Sequence, residues 1–201
     1  MAEIRPYRAS DLDTLYDICL RTGDAGRDAT SLYRDPKLIG HVYAAPYGVL
    51  EPECCFIAED GEGAGGYVLG TADTKAFEER LERAWWPALR ARYPDPPDPN
   101  TPDERMQRLI HHPHRIPKRI ARAYPAHLHI DLLPRLQGQG IGKRMIERVL
   151  AQLAAMGAAG VHLTVGQRNE RAVRFYRAYG FTELERHGAP FDVVIFAIAT
   201  R

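Results

Sequence analysis

The fold is decided by Pro134-Arg135-Leu136-Gln137-Gly138-Gln139-Gly140-Ile141-Gly142-Lys143. An apolar run at residues 128–133 precedes it, and Ile141, Met145, Ile146, Val149, Leu150 and Leu153 follow at helical spacing. The order is strand, glycine turn, helix. A turn without Cβ atoms lets a phosphate approach backbone N–H groups, and the helix start adds free donors and the positive end of its dipole. The stretch reads as an anion cradle, or in the plainer reading as a structural turn.

Downstream, residues 161–165 form an expected strand, and Asn169 opens a helix that carries Ala172, Phe175 and Tyr176 and ends at Gly180-Phe181. Two strands follow at residues 182–186 and 191–198. The second is nearly continuous in apolar residues, which predicts burial on both faces. Upstream, residues 3–8 alternate as a short strand, and Ser10 is the expected cap of a helix with Leu12, Leu15, Tyr16 and Cys19 on one face, ended by Gly23. A second helical stretch over residues 31–43 carries Leu32, Leu38, Ile39 and Val42 and is interrupted by Pro36. Residues 54–59 and 65–71 then predict a hairpin across the glycine-rich turn at residues 60–64.

These landmarks resemble those of the GNAT (Gcn5-related) N-acetyltransferases. The family signature, Arg/Gln-x-x-Gly-x-Gly/Ala at a helix start, fits in two overlapping registers, Arg135-x-x-Gly138-x-Gly140 and Gln137-x-x-Gly140-x-Gly142. The second landmark, from Asn169 through Phe175-Tyr176 to Gly180-Phe181, stands at the expected separation. More narrowly, residues 124–134 resemble the acetyltransferase-like domain of O-GlcNAcases and its bacterial stand-alone relatives. The resemblance implies an α/β GNAT fold, with a mixed, mostly antiparallel sheet of about seven strands flanked by helices. It implies a single domain over residues 1–201, with acetyl-CoA as cosubstrate. The first two helices would floor the acceptor site.

Residues 73–124 depart from a minimal member of the family and are expected to form a helical insertion between the third and fourth strands. Phe77, Leu81, Trp85 and Leu89 recur at helical spacing, residues 94–100 break regular structure, and a further helix starts at Thr101 or Pro102. The apolar face through Trp85 and Trp86 suits core packing or a homodimer contact, and as a second reading a substrate wall. Six cations from Arg105 to Arg122, with no carboxylate among them, suit a solvated helix face or a site for phosphates or an acidic acceptor. His111, His112 and His114 lack the converging partners that a metal site needs, so no metal is expected.

Composition narrows the rest. A chain of 201 residues with 45% hydrophobic residues can bury one core, and a net charge of +1 writes no general attraction to nucleic acid or anionic membrane into its surface. No apolar run spans a bilayer, and residues 1–5 lack a secretory layout, so a soluble, cytoplasmic protein is expected. The 3 cysteines, Cys19, Cys54 and Cys55, fit no disulfide framework and read as buried thiols.

Transfer of acetyl from a thioester to an amine needs a grip on the donor, support for negative charge on oxygen, and two proton transfers. By the resemblance, the backbone of Gln137, Gly138, Gln139, Gly140 and Gly142 holds the diphosphate, with Lys143 adding charge. Leu132 and Leu133 pair with the pantetheine arm, the Leu132 N–H supports the oxygen, and Asn169 holds the arm from the second helix. Tyr176 is the expected general acid, since a phenol is protonated at neutral pH. Strand alternation puts His127, His129 and Asp131 on one face. Either His129 or Asp131 acts as the base, or the three satisfy one another in a buried network. The expected reaction is direct acetylation of a primary amine on a small molecule or peptide. The alternative is a catalytically silent module that binds acetyl-CoA or a protein or glycan partner.

Overall fold

The computed structural model describes residues 2–189 and 192–200; Phe191, the expected start of the last strand, lies outside them. Seven strands form one sheet in the order β1-β2-β3-β4-β5-β7-β6. They are β1 (Glu3–Pro6), β2 (Phe56–Asp60), β3 (Gly63–Thr71), β4 (Ala126–Leu132), β5 (Gly160–Gly166), β6 (Thr182–His187) and β7 (Val193–Ala199). Every neighbouring pair is antiparallel except β4 and β5. That one parallel pair is short, with Ala126 opposite Val161 and His127 opposite His162. Beyond it, β4 runs on to Leu132 against β3 alone. The sheet is split along its middle.

In the first half, α1 (Leu12–Thr22), α2 (Leu38–Tyr43) and α3 (Ala45–Leu50) lie between β1 and β2. Asp11, not Ser10, stands at the start of α1: its carboxylate accepts from the Arg8 N–H at 2.8 Å and pairs with Arg5 at 2.7 Å. The bidentate guanidinium holds an acid there more firmly than a serine hydroxyl could. The second helical stretch begins only at Leu38, and Leu32 stays 44% exposed, because Pro36 disfavours helix in the residue before it. The helix α3 was not expected from the sequence.

The segment between β3 and β4 carries α4 (Thr74–Arg80), α5 (Trp86–Arg92), α6 (Pro102–His111) and α7 (Lys118–Ala123). Between α4 and α5 a π-helical turn spans Leu81–Trp85, with the Trp86 N–H bonded to the Leu81 carbonyl. Pro87, with no N–H, follows directly, and a widened turn is how a helix accommodates the missing donor. The α6 start is a capping box: Thr101 accepts from the Glu104 N–H and Glu104 accepts from the Thr101 N–H. Trp86 is buried in the chain's own core, and Trp85 Nε1 donates to the His41 carbonyl at 2.9 Å. Three of the six cations from Arg105 to Arg122 find acids elsewhere: Arg108 pairs with Asp95, Arg115 with Glu78 and Glu82, Arg119 with Glu185.

The sheet is covered on both faces. On one, α8 (Ile141–Ala155) and α9 (Glu170–Tyr179) pack Met145, Ile146, Val149 and Val173 on Val68, Leu128, Val161 and Phe196. On the other, α1, α2 and the helices after β3 pack Leu15, Ile18, Phe77 and Trp86 on Ile57, Tyr67 and Leu69. The stripe Ile141, Met145, Ile146, Val149 and Leu153 is wholly buried. Each such side chain contributes about 1.5–3 kcal/mol, which fixes α8, and with it the glycine turn, against the sheet. All three cysteines are free and buried.

Candidate active site

The glycine turn stands open at the start of α8. Gly138 and Gly140 both have φ +75°, a left-handed backbone natural to glycine, and no side chain caps the helix. The N–H groups of a helix's first turn have no partner within the helix, so a bare N-terminus suits an anion. Of the two signature registers, the structure commits Arg135 elsewhere. Its guanidinium donates to the Gly63 and Ala64 carbonyls and pairs with Asp60, and a Cβ on Gly65 would meet it at 2.5 Å. Gln137 is the side chain that faces the split: Nε2 donates to the Leu132 carbonyl at 2.6 Å, and Arg171 on α9 donates to Oε1.

Two expected backbone roles need correction. The Gln137 N–H donates to the Pro134 carbonyl at 3.1 Å, closing the tight turn, so the open cradle begins at Gly138. The Leu133 N–H donates to the Gly65 carbonyl at 2.8 Å, so it cannot pair with an added strand. The same bond fixes the phase of the β3–β4 ladder. N–H groups alternate between the two edges of a strand, so those of Leu132 and Ile130 point away from β3 into the split. Gln139 Nε2 donates to the Arg135 carbonyl, and Lys143 lies exposed 3.8 Å from Glu147, one helical turn on.

Behind the split is a cavity of about 1110 Å³. His127, His129, Asp131, His162, Asn169 and Tyr176 all line it. Strand alternation does place His127, His129 and Asp131 on one face, yet their surroundings differ. His127 is satisfied at both nitrogens, Nε2 by Tyr47 Oη at 2.6 Å and Nδ1 by Thr74 Oγ1 at 2.7 Å. Thr74 also reaches the Pro125 carbonyl at 2.7 Å. A carbonyl only accepts, so Thr74 donates to Pro125 and accepts from His127 Nδ1–H, and Nε2 accepts from Tyr47. This fixes a neutral imidazole in one tautomer, and burial holds its pKa well below the usual value.

His129 has no hydrogen bond at its ring among the described residues. It lies among the rings of Tyr43, Tyr47 and His127 at 6.1, 5.3 and 6.2 Å, and burial pushes its pKa down to about 4. Asp131 accepts from Tyr67 Oη at 2.6 Å through Oδ2, and burial pushes its pKa up to about 6. It is thus mostly ionised at pH 7 and a stronger base than an ordinary carboxylate. Across the split, His162 Nδ1 donates to the Tyr124 carbonyl at 2.8 Å.

Tyr176 is buried among Phe175, Phe181 and Phe196, and its hydroxyl has no hydrogen-bond partner among the described residues. Burial raises its pKa, so the phenol keeps its proton. Asn169 uses its side-chain oxygen to cap α9 at the Ala172 N–H, which leaves its NH2 to the cavity. The loop after α1 reaches the same place. Ala25 and Gly26 both have positive φ in a turn closed by the Asp24–Arg27 pairing, and Asp24 lies 3.4 Å from Arg168. The sequence reading missed Tyr67, Tyr47, Thr74, His162 and this loop. A tyrosine on a strand and a glycine pair after a helix were the visible signals.

Residues 114–183 match the profile of the acetyltransferase (GNAT) domain. The crystal structure of SsHAT is 44% identical with a TM-score of 0.90, covering 100% of this chain and 98% of that one. The chain belongs to the GNAT acetyltransferase family. Protein O-GlcNAcase of Rattus norvegicus is 28% identical over 196 residues, 96% of this chain but 21% of the relative's length. A phosphinothricin acetyltransferase from Sinorhizobium meliloti, solved with AcCoA, shares the fold at a TM-score of 0.58 and 16% identity, over 99% of this chain and 88% of that one.

Proposed function

We propose that the protein is an acetyl-CoA-dependent N-acetyltransferase that acetylates a primary amine directly. One observation carries this reading: Asp131 and Tyr176 line one cavity at the split between β4 and β5, and the next residue of β4, Leu132, turns a free N–H into that split on the way to the open cradle at the start of α8. Acetyl-CoA supplies an activated acetyl group held as a thioester. The N–H groups from Gly138 to Gly142 suit its diphosphate, and the edge of β4 at Ile130 and Leu132 suits an extended arm, as in strand addition. The Leu132 N–H supports charge on the carbonyl oxygen.

Asp131 takes the proton from the amine, and Tyr176 gives one to the departing sulfur as the N–C bond replaces the C–S bond. His129, neutral and unpartnered, is placed to orient the amine. His127, locked between Tyr47 and Thr74, positions the strand. The reading is tested by titrating acetyl-CoA into the protein and by assaying released thiol with amines. Tyr176→Phe is expected to lower turnover about 10²-fold or more with little change in acetyl-CoA affinity. Unchanged turnover would remove Tyr176 as proton donor, and no acetyl-CoA binding by the folded protein would favour the silent module.

A further inference from the structure

The cavity has two ends. Asn169, Ala172 and Tyr176 border one, and Tyr43, Tyr47, Phe77, Trp86 and the loop from Pro113 to Pro117 border the other. At about 1110 Å³ it exceeds the roughly 300–1,000 Å³ of a typical small-molecule site, which leaves room for an acceptor body beside a thioester arm. The wall of the second end is aromatic: Phe77 stacks on Tyr47 at 4.6 Å, and both Tyr43 and Tyr47 contact His129.

Its charges are one-sided. The carboxylates of Asp24, Glu78, Asp131 and Asp192 line the cavity against the guanidiniums of Arg115 and Arg168. Both guanidiniums are ion-paired, Arg115 with Glu78 and Glu82, and Arg168 at 3.4 Å with Asp24, which Arg27 also holds at 2.8 Å. The imidazoles of His127, His129 and His162 are held neutral by burial, and His187 faces Glu185 at 3.0 Å. Among the described residues, then, no lining Arg offers an unpaired cation to a carboxylate or phosphate. Asp131, with Oδ2 taken by an uncharged phenol, is a carboxylate without a cationic partner among the described residues.

We propose that the acceptor is a small primary amine with an aromatic or aliphatic body and no anionic group, its ammonium on Asp131 and its body against Tyr43, Tyr47 and Phe77. This rests on the acetyltransferase reading for the reaction, but the preference itself is a binding property. An α-carboxylate beside the amine would meet the like charge of Asp131, and like charges so placed cost several kcal/mol. Amino acids and phosphorylated amines are thereby excluded, whereas aralkylamines fit.

The test is a pair of ligands differing only in the carboxylate, phenethylamine and phenylalanine, each titrated into the full chain by calorimetry or ligand-observed NMR. Phenethylamine is expected to bind at least about tenfold more tightly than phenylalanine, since like-charge contact penalises the acid. Asp131→Asn should erase that preference, with its fold checked by thermal melting. Tyr43→Leu should weaken phenethylamine and leave the preference intact. Equal or tighter binding of phenylalanine, no binding of either, or a preference that survives Asp131→Asn would overturn the proposal. Acetyl-CoA titrated into the same samples reports separately on the acetyltransferase reading.

Discussion

The phenol of Tyr67 donates to Asp131 Oδ2 at 2.6 Å from the neighbouring strand β3, and Tyr67 itself is wholly buried. The bond favours the ionised carboxylate, while burial favours the neutral one and wins, which leaves Asp131 at about 6. Tyr67→Phe removes the larger of the two hydroxyl contributions that favour the ionised form, the other coming from Thr22. The Asp131 pKa is expected to rise by about one unit, the scale of a lost hydrogen bond to a charged group. Carboxyl-carbon NMR reads this directly, and in a productive assay the acid limb of the pH profile, near 6 in the wild type, should move up with it.

Asp131→Asn should separate activity from stability. Turnover is expected to fall about 10²–10⁴-fold, the range of a lost general base. Stability should move the other way at neutral pH. The folded protein holds the Asp131 proton more tightly than the unfolded chain, so between pH about 4 and about 6 stability falls as pH rises, and above that the full penalty of a buried charge stands. An amide avoids it and still accepts from Tyr67. A gain on the order of 1–2 kcal/mol at pH 7, absent at pH 4, is the outcome for thermal melts to check.

His127 should behave in the opposite sense. Its replacement by alanine strands the Tyr47 hydroxyl, leaves the Thr74 oxygen without its donor, and opens a void beside the stacked rings of Tyr47 and Phe77. A loss of about 2–4 kcal/mol is expected from denaturant unfolding. His127→Gln, which can span both partners, should recover part of it.

The two signature registers differ in their consequences. Arg135→Ala removes bonds to Gly63, Ala64 and Asp60 and should cost about 1–3 kcal/mol of stability, with little change in acetyl-CoA affinity. Gln137→Ala frees the Leu132 carbonyl and the Arg171 guanidinium at the mouth of the split and should alter affinity more than stability.

Gly140→Glu tests the cradle itself. A Cβ at Gly140 meets nothing within 4 Å, so the fold bears only the left-handed strain of about 1–2 kcal/mol. A carboxylate beside the bare α8 start should abolish acetyl-CoA binding by calorimetry; retained affinity would show that the turn serves structure alone.

The sequence by itself determined the local and the periodic. The stripe from Ile141 to Leu153, the left-handed glycines before it, the Asn169 start and Gly180 end of α9, and the alternation of β4 all follow from neighbours a few residues apart, where propensity and capping act. So did Thr101 as the cap of α6 after the proline-rich break. Local reading failed around Pro36 and at Ser10, where a proline and the guanidinium of Arg5 on β1 decided the helix starts.

What only the tertiary structure decided is which polar groups are free. Tyr67 reaches Asp131 across 64 residues, Tyr47 reaches His127 across 80, and Thr74 reaches it across 53. Those pairings, with the Leu133 bond to Gly65, separate a locked His127 from an unpartnered His129 and a raised Asp131, and a spent N–H at Leu133 from an open one at Leu132. The side chains are alike in sequence. Their protonation and availability are set by desolvation and by partners that only the packed sheet brings within 3 Å.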